Sequence, residues 1–87
     1  MSAEPKIVIY GNDSCAYCAA ARMLFTKKGL GFDDVLVSGD EERHAEMEQL
    51  TGSRLVPQIL INDHIIGGFD ELCALDKNGA LERLLGA

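Results

Sequence analysis

The chain has 87 residues, 47% of them hydrophobic and 25% charged, with a formal net charge of −6. That length and apolar content fit one folded domain, residues 1–87, whose small core needs every apolar stripe, and they exclude a disordered chain. The acidic balance speaks against nucleic acid and anionic membrane as partners. No apolar run reaches the roughly 20 residues of a membrane span, and Met1–Lys6 lacks the apolar stretch of a secretory leader.

The spacing of apolar residues then predicts the elements in turn. Lys6–Tyr10 reads as a buried strand, with the β-branched run Ile7-Val8-Ile9 at its centre. Ala16–Lys28 reads as a helix with Tyr17, Ala20, Ala21, Leu24 and Phe25 on one face. Lys27 and Lys28 suit its C-terminal dipole, and Gly29 suits the position after it. Phe32–Val37 reads as a second strand and Ser38-Gly39 as a turn. Asp40 can cap a helix running through Thr51, with Glu41 and Glu42 in the first turn and Gly52 ending it. Met47 and Leu50 are its firm apolar anchors, so it reads as a surface helix with a thin seam. Gln58–Ile61 is a third strand, Asn62-Asp63 a hairpin turn and His64–Ile66 a short fourth strand. Gly67-Gly68 breaks the chain, and Asp70–Asp76 and Ala80–Leu85 are short helices separated by Asn78-Gly79. The order is βαβ followed by ββα. The first half asks for parallel strands joined by a crossover, the second for an antiparallel hairpin. An α/β, thioredoxin-like fold follows: a four-stranded mixed sheet flanked by helices.

Cys15-Ala16-Tyr17-Cys18 lies at the first strand-to-helix junction. A C-x-x-C there reads as a dithiol redox site. Residues i and i+3 share a helix face, close enough for the Cα separation of roughly 4.4–6.8 Å that a disulfide requires. The first cysteine meets the unpaired N–H groups and the positive end of the helix, which favour a thiolate. Cys15 is therefore the expected nucleophile and Cys18 its resolving partner. The chain has three cysteines, an odd number without scaffold spacing, and this fits a reducing, cytoplasmic setting. No second cysteine or histidine pair stands at zinc-ligand spacing, so no metal is expected.

Beyond these residues, the chain resembles the small dithiol glutaredoxins of bacteria over essentially its whole length. The resemblance rests on Cys15-Ala16-Tyr17-Cys18, Leu50–Pro57, Ile65-Ile66-Gly67-Gly68 and Asp70-Glu71-Leu72 in order. It implies a glutathione-dependent thiol–disulfide oxidoreductase, a thioltransferase. Such a protein takes glutathione as co-substrate, has disulfide-bonded or glutathionylated proteins as partners, acts as a monomer and serves cell redox homeostasis and electron transport. Pro57 would be a cis-proline opposite the cysteines, and the backbone of Val56 would dock glutathione as an added strand does. Asp70 would hold its α-amino group beside Phe69 and Glu71 at the start of a helix. Gly68 would let backbone pass close to the ligand, and Tyr17 would flank the sulfur. His44 falls where the family has Arg or Gln contacting the glycine carboxylate.

The chain also departs from the family pattern. Ala16 stands in place of proline, Leu55 in place of threonine before Val56-Pro57, and Asn12 in place of lysine. Loss of that lysine implies weaker glutathione binding and a less depressed Cys15 pKa. The lost proline frees an N–H in the first helical turn. Non-proline motifs of this family are sometimes linked to cluster binding, so the alternative reading is a [2Fe–2S] cluster held between two protomers by Cys15 and two glutathiones. A third is a glutaredoxin-like protein reduced by thioredoxin reductase. Plainer readings stand beside the residue roles: Tyr17 as a packing residue, Pro57 as a loop proline, Gly67-Gly68 as a turn, His44 and His64 as solvated histidines, Cys73 as a small apolar filler.

Overall fold

The computed structural model describes residues 5–86; Met1–Glu4, part of the segment read as lacking a leader, and Ala87 lie outside the described residues. The chain runs β1 (Ile7–Gly11), α1 (Ala16–Lys27), β2 (Asp33–Leu36), α2 (Glu41–Thr51), β3 (Gln58–Ile61), β4 (His64–Gly67), α3 (Phe69–Lys77) and α4 (Ala80–Leu84). The strands form one mixed sheet in the order β2-β1-β3-β4. β1 and β2 are parallel, joined through α1, while β1–β3 and β3–β4 are antiparallel. This is the four-stranded α/β sheet flanked by helices that the sequence predicts.

Period-two alternation on the central strands divides the core into two layers. Ile7 and Ile9 of β1 and Ile59 and Ile61 of β3 face one side. There they pack with Ala21 and Phe25 of α1, Leu72 of α3, and Leu81 and Leu85 at the C-terminal end of the chain. Tyr10 and Leu60 face the other side, against Met47 of α2 and against Val37, which follows β2. Both faces are covered, which is why these strands read as near-continuous apolar runs. β2 is an edge strand, and its exposed Asp33 and Asp34 discourage pairing with another chain.

Several boundaries differ from expectation. β1 starts and ends one residue later, because its ladder continues to Gly11 opposite Leu36. Lys6 leaves the ladder but still pairs with Asn62, whose N–H reaches the Lys6 carbonyl at 2.8 Å. β2 is shorter than Phe32–Val37: Phe32 turns inward, with its ring 6.3 Å from that of Phe25. The buried seam of α1 is Cys18, Ala21 and Phe25. Tyr17 is not on it: the residue is 63% exposed and its ring lies 6.1 Å from that of Phe69. Met47 is the fully buried anchor of α2; Leu50 is 47% exposed, at the rim of a cavity it shares with Val8, Tyr10 and Leu60 of the central strands. Asn62 and Asp63 both take positive φ, the signature of a type I′ turn. α3 starts one residue early, at Phe69, because the Glu71 side chain folds back to the N–H of Gly68, 2.7 Å away. Gly68 has no side chain to return the bond, so this is half of a capping box. No helix among the described residues is long and apolar enough to cross a membrane.

Candidate active site

The β1–α1 loop delivers Cys15 to the N-cap position of α1, with φ −106° and ψ 120°. Its Sγ accepts the N–H of Cys18 at 3.3 Å, as a serine or aspartate oxygen does at an ordinary N-cap. Cys15 is half-buried and Cys18 fully buried; both are free thiols. Burial works against charge on Cys15. Hydrogen bonds from the Cys18 thiol and from the backbone of Cys18 and Tyr17, together with the Arg22 charge, outweigh it and hold the thiol below its ordinary pKa. Cys18 is pushed the other way, up to about 11, by burial first and then by its hydrogen bond to Cys15. One thiol is thus poised to ionise and attack, while the other keeps its proton and stays out of reach.

Gly11 makes this arrangement possible. A Cβ at that position would lie 2.8 Å from Cys18 Sγ, so only glycine lets the buried sulfur settle against the end of β1. Gly67 has a similar duty, with φ +108° and a Cβ position 2.9 Å from Glu71 Oε1.

Beside the dithiol lies a groove of about 260 Å³ lined by Tyr17, Leu55, Val56, Pro57, Gln58, Gly68, Phe69, Asp70 and Glu71. Three segments meet there: the first turn of α1, the loop before β3 and the first turn of α3. The Val56–Pro57 peptide is cis. Its loop is fastened on several sides: Leu55 N–H donates to Ser53 Oγ at 3.1 Å, Gln58 Nε2 to the Leu55 carbonyl at 2.9 Å, and His44 Nε2 to the Arg54 carbonyl at 2.9 Å. Arg54 in turn bridges Glu48 and Glu41 of α2 at 2.9 and 2.8 Å. Among the described residues, these bonds leave out the N–H and C=O of Val56.

Of the residues singled out for a glutathione site, Tyr17, Leu55, Val56, Pro57, Gly68, Phe69, Asp70 and Glu71 come together in the groove. Asn12 and His44 do not line it. His44 is partly exposed, and its Nε2 donates to the Arg54 carbonyl at 2.9 Å. Asn12 is half-buried. Its side-chain Oδ1 is buried without a hydrogen-bond partner among the described residues. His64 is exposed, and Cys73 is half-buried beside the fully buried Leu72. Gln58, Arg54 and Arg22 were not anticipated. For Gln58 a signal existed: a polar residue opening an otherwise apolar strand is buried only when its amide is bonded.

Comparisons with known proteins point to one family. The family model described as Glutaredoxin matches residues 7–66. A glutaredoxin of Pseudomonas aeruginosa is 41% identical over 83 residues, spanning 95% of this chain and 99% of that protein. Glutaredoxin 3 of Escherichia coli is 39% identical over 79 residues, spanning 91% of this chain and 95% of that protein. Among solved structures, the Brucella melitensis glutaredoxin is 37% identical with a TM-score of 0.83, covering 97% of this chain and 91% of that one. A buckwheat glutaredoxin–glutathione complex is 26% identical with a TM-score of 0.85, covering 94% of this chain and 77% of that one.

Proposed function

The chain belongs to the glutaredoxin family, and from that membership and its site geometry we propose that it is a glutathione-dependent thiol–disulfide oxidoreductase acting through Cys15 and Cys18. A thiol oxidoreductase of thioredoxin-like fold goes with the family; glutathione as its co-substrate is what we add. The observation that carries it is the unequal pair: a half-exposed, acidified thiol capping α1 and a buried, protonated one a turn further on, beside a groove whose floor is the Val56–Pro57 backbone.

The Cys15 thiolate attacks one sulfur of the substrate disulfide, forming a Cys15–substrate mixed disulfide and expelling the other sulfur as a thiolate. Cys18 then loses its proton and attacks the Cys15 sulfur. The intramolecular disulfide closes and the second substrate thiolate leaves, taking up that proton. Two electrons have passed from the dithiol to the substrate. Two glutathione molecules restore the dithiol in the same way and leave as glutathione disulfide. With a glutathionylated substrate Cys15 suffices, because free glutathione can resolve its mixed disulfide.

The groove supplies orientation. An extended γ-glutamyl-cysteinyl-glycine can pair with the N–H and C=O of Val56 as a short added strand, with the Tyr17 and Leu55 side chains beside its sulfur. Its α-amino group can meet the Asp70 carboxylate, and its α-carboxylate the open N–H groups of the first turn of α3. Residues 1–87 are proposed to work as one such domain. The test is an assay of glutathione oxidation by a small mixed disulfide, coupled to glutathione reductase and run beside a thioredoxin reductase couple. Turnover with glutathione alone supports the proposal. Turnover with only the thioredoxin reductase couple overturns it.

A further inference from the structure

Arg22 lies one helical turn beyond Cys18 on α1, with a side chain only 20% exposed. Its guanidinium is held at both ends. Nε donates to Asp34 Oδ1 of β2 at 3.0 Å, and Nη2 donates to the Asn12 carbonyl at 3.0 Å. A Cβ placed on Gly11 would sit 2.8 Å from Cys18 Sγ and 3.3 Å from Arg22 Nη2. The buried sulfur and the guanidinium therefore close over the same stretch of β1 backbone, against the turn that leads to Cys15. A charge sheltered in this way is screened less than one on the surface. Arg22 is a cation whose charge favours the thiolate at both cysteines. Position 12 contributes a carbonyl here and no cation.

We propose that Arg22 is a positioning residue for the dithiol: through the Asn12 carbonyl it fixes the turn before Cys15, and its charge, partly neutralised by Asp34, sets how readily the pair gives up its electrons. The direction follows from charge alone. Only the reduced pair can carry a thiolate, so a cation beneath it stabilises the reduced form and makes the protein a weaker reductant. Asp34, drawing on the same guanidinium, works in the opposite sense. The inference rests on the reading of Cys15 and Cys18 as a redox dithiol.

The experiment equilibrates the full chain and its Arg22→Gln, Arg22→Lys and Asp34→Asn variants with glutathione/glutathione disulfide buffers at fixed pH. The fraction of Cys15–Cys18 disulfide is measured, along with the rate of Cys15 alkylation against pH and the thermal midpoint of each variant. Arg22→Gln is expected to shift the equilibrium about fivefold toward the disulfide, about 20 mV more negative, and to move the alkylation profile to higher pH. Arg22→Lys should keep most of the wild-type behaviour. Asp34→Asn should move both readouts opposite to Arg22→Gln. A clamp that matters only for shape would move Asp34→Asn and Arg22→Gln in the same direction, and that result overturns the proposal, as does an Arg22→Gln variant indistinguishable from wild type. Should Arg22→Gln fail to fold, the sign of the Asp34→Asn shift decides. No intramolecular disulfide in any variant overturns the dithiol reading and this inference with it. A disulfide whose equilibrium ignores Arg22 and Asp34 overturns the inference alone.

Discussion

Cys15 and Cys18 stand a single helical turn apart, yet their surroundings treat them oppositely. At Cys15, hydrogen bonds and the Arg22 charge together outweigh burial and hold the thiol below its ordinary pKa; Cys18 is pushed up to about 11, chiefly by burial. Alkylation of Cys15 should therefore reach its plateau at a lower pH than a free cysteine does, as a pH series with a small alkylating agent would show. Cys18 has a consequence for stability. Its pKa rises from 9.0 to about 11 on folding, so across that window the folded state still holds a proton that the unfolded chain has released. The contribution of Cys18 to stability must then fall as pH rises through the window. Chemical denaturation of the reduced protein at pH 8 and pH 11 should show this fall, and Cys18→Ala should lack it; equal losses in both would contradict the account. At this scale the sequence was legible where chemistry is local: C-x-x-C at a strand-to-helix junction names the thiols. It was silent where a partner is distant. Nothing in the sequence singles out Arg22, because Asp34 and Asn12 are joined to it only by the fold.

The helices carry unequal shares of the site. α2 touches the core through one fully buried side chain, Met47, yet it supplies His44, Glu41 and Glu48, which tie down Arg54 and the loop before β3. Met47→Ala should cost about 2–5 kcal/mol in denaturant unfolding, as large-to-alanine core changes do. It should also raise KM for glutathionylated substrate while sparing the alkylation of Cys15, because the groove loosens and the thiol cap does not. At α3, Glu71→Ala removes the bond to the Gly68 N–H and should cost about 1 kcal/mol, with α3 beginning later in amide-exchange experiments. The strands β1 and β3 were legible because both their faces are apolar. Leu50 departs from the expectation because a spacing of three from Met47 places it near the seam without telling how closely the helix packs there: it borders an open cavity over the central strands. Tyr17 was misjudged similarly: it lies above the core layer, where Phe69 of a later helix meets it.

For the whole molecule, the order of elements dictated the sheet, since a βαβ unit followed by a hairpin leaves few arrangements. The groove was another matter. It joins residues near 17, 56 and 70, and only the resemblance to glutaredoxins brought these together before the fold did. The net charge of −6 bears on the whole surface, and the groove itself carries Asp70 and Glu71 without a lysine or arginine in its lining. An anionic mixed disulfide should therefore meet a mild repulsion. Its kcat/KM should rise about two- to threefold as salt goes from low to physiological levels. A decrease would show that local cations, Arg22 among them, dominate approach.

The central claim is that Cys15 is the nucleophile that exchanges with glutathione while Cys18 resolves. Cys18→Ser provides the direct trap, since nothing then closes the intramolecular disulfide. Incubated with glutathione disulfide, digested without reductant and mapped by mass spectrometry, this variant should carry one glutathione, on Cys15, and lose it when free glutathione is added. An adduct confined to Cys73, or no adduct while Cys15 remains a free thiol, would contradict the account.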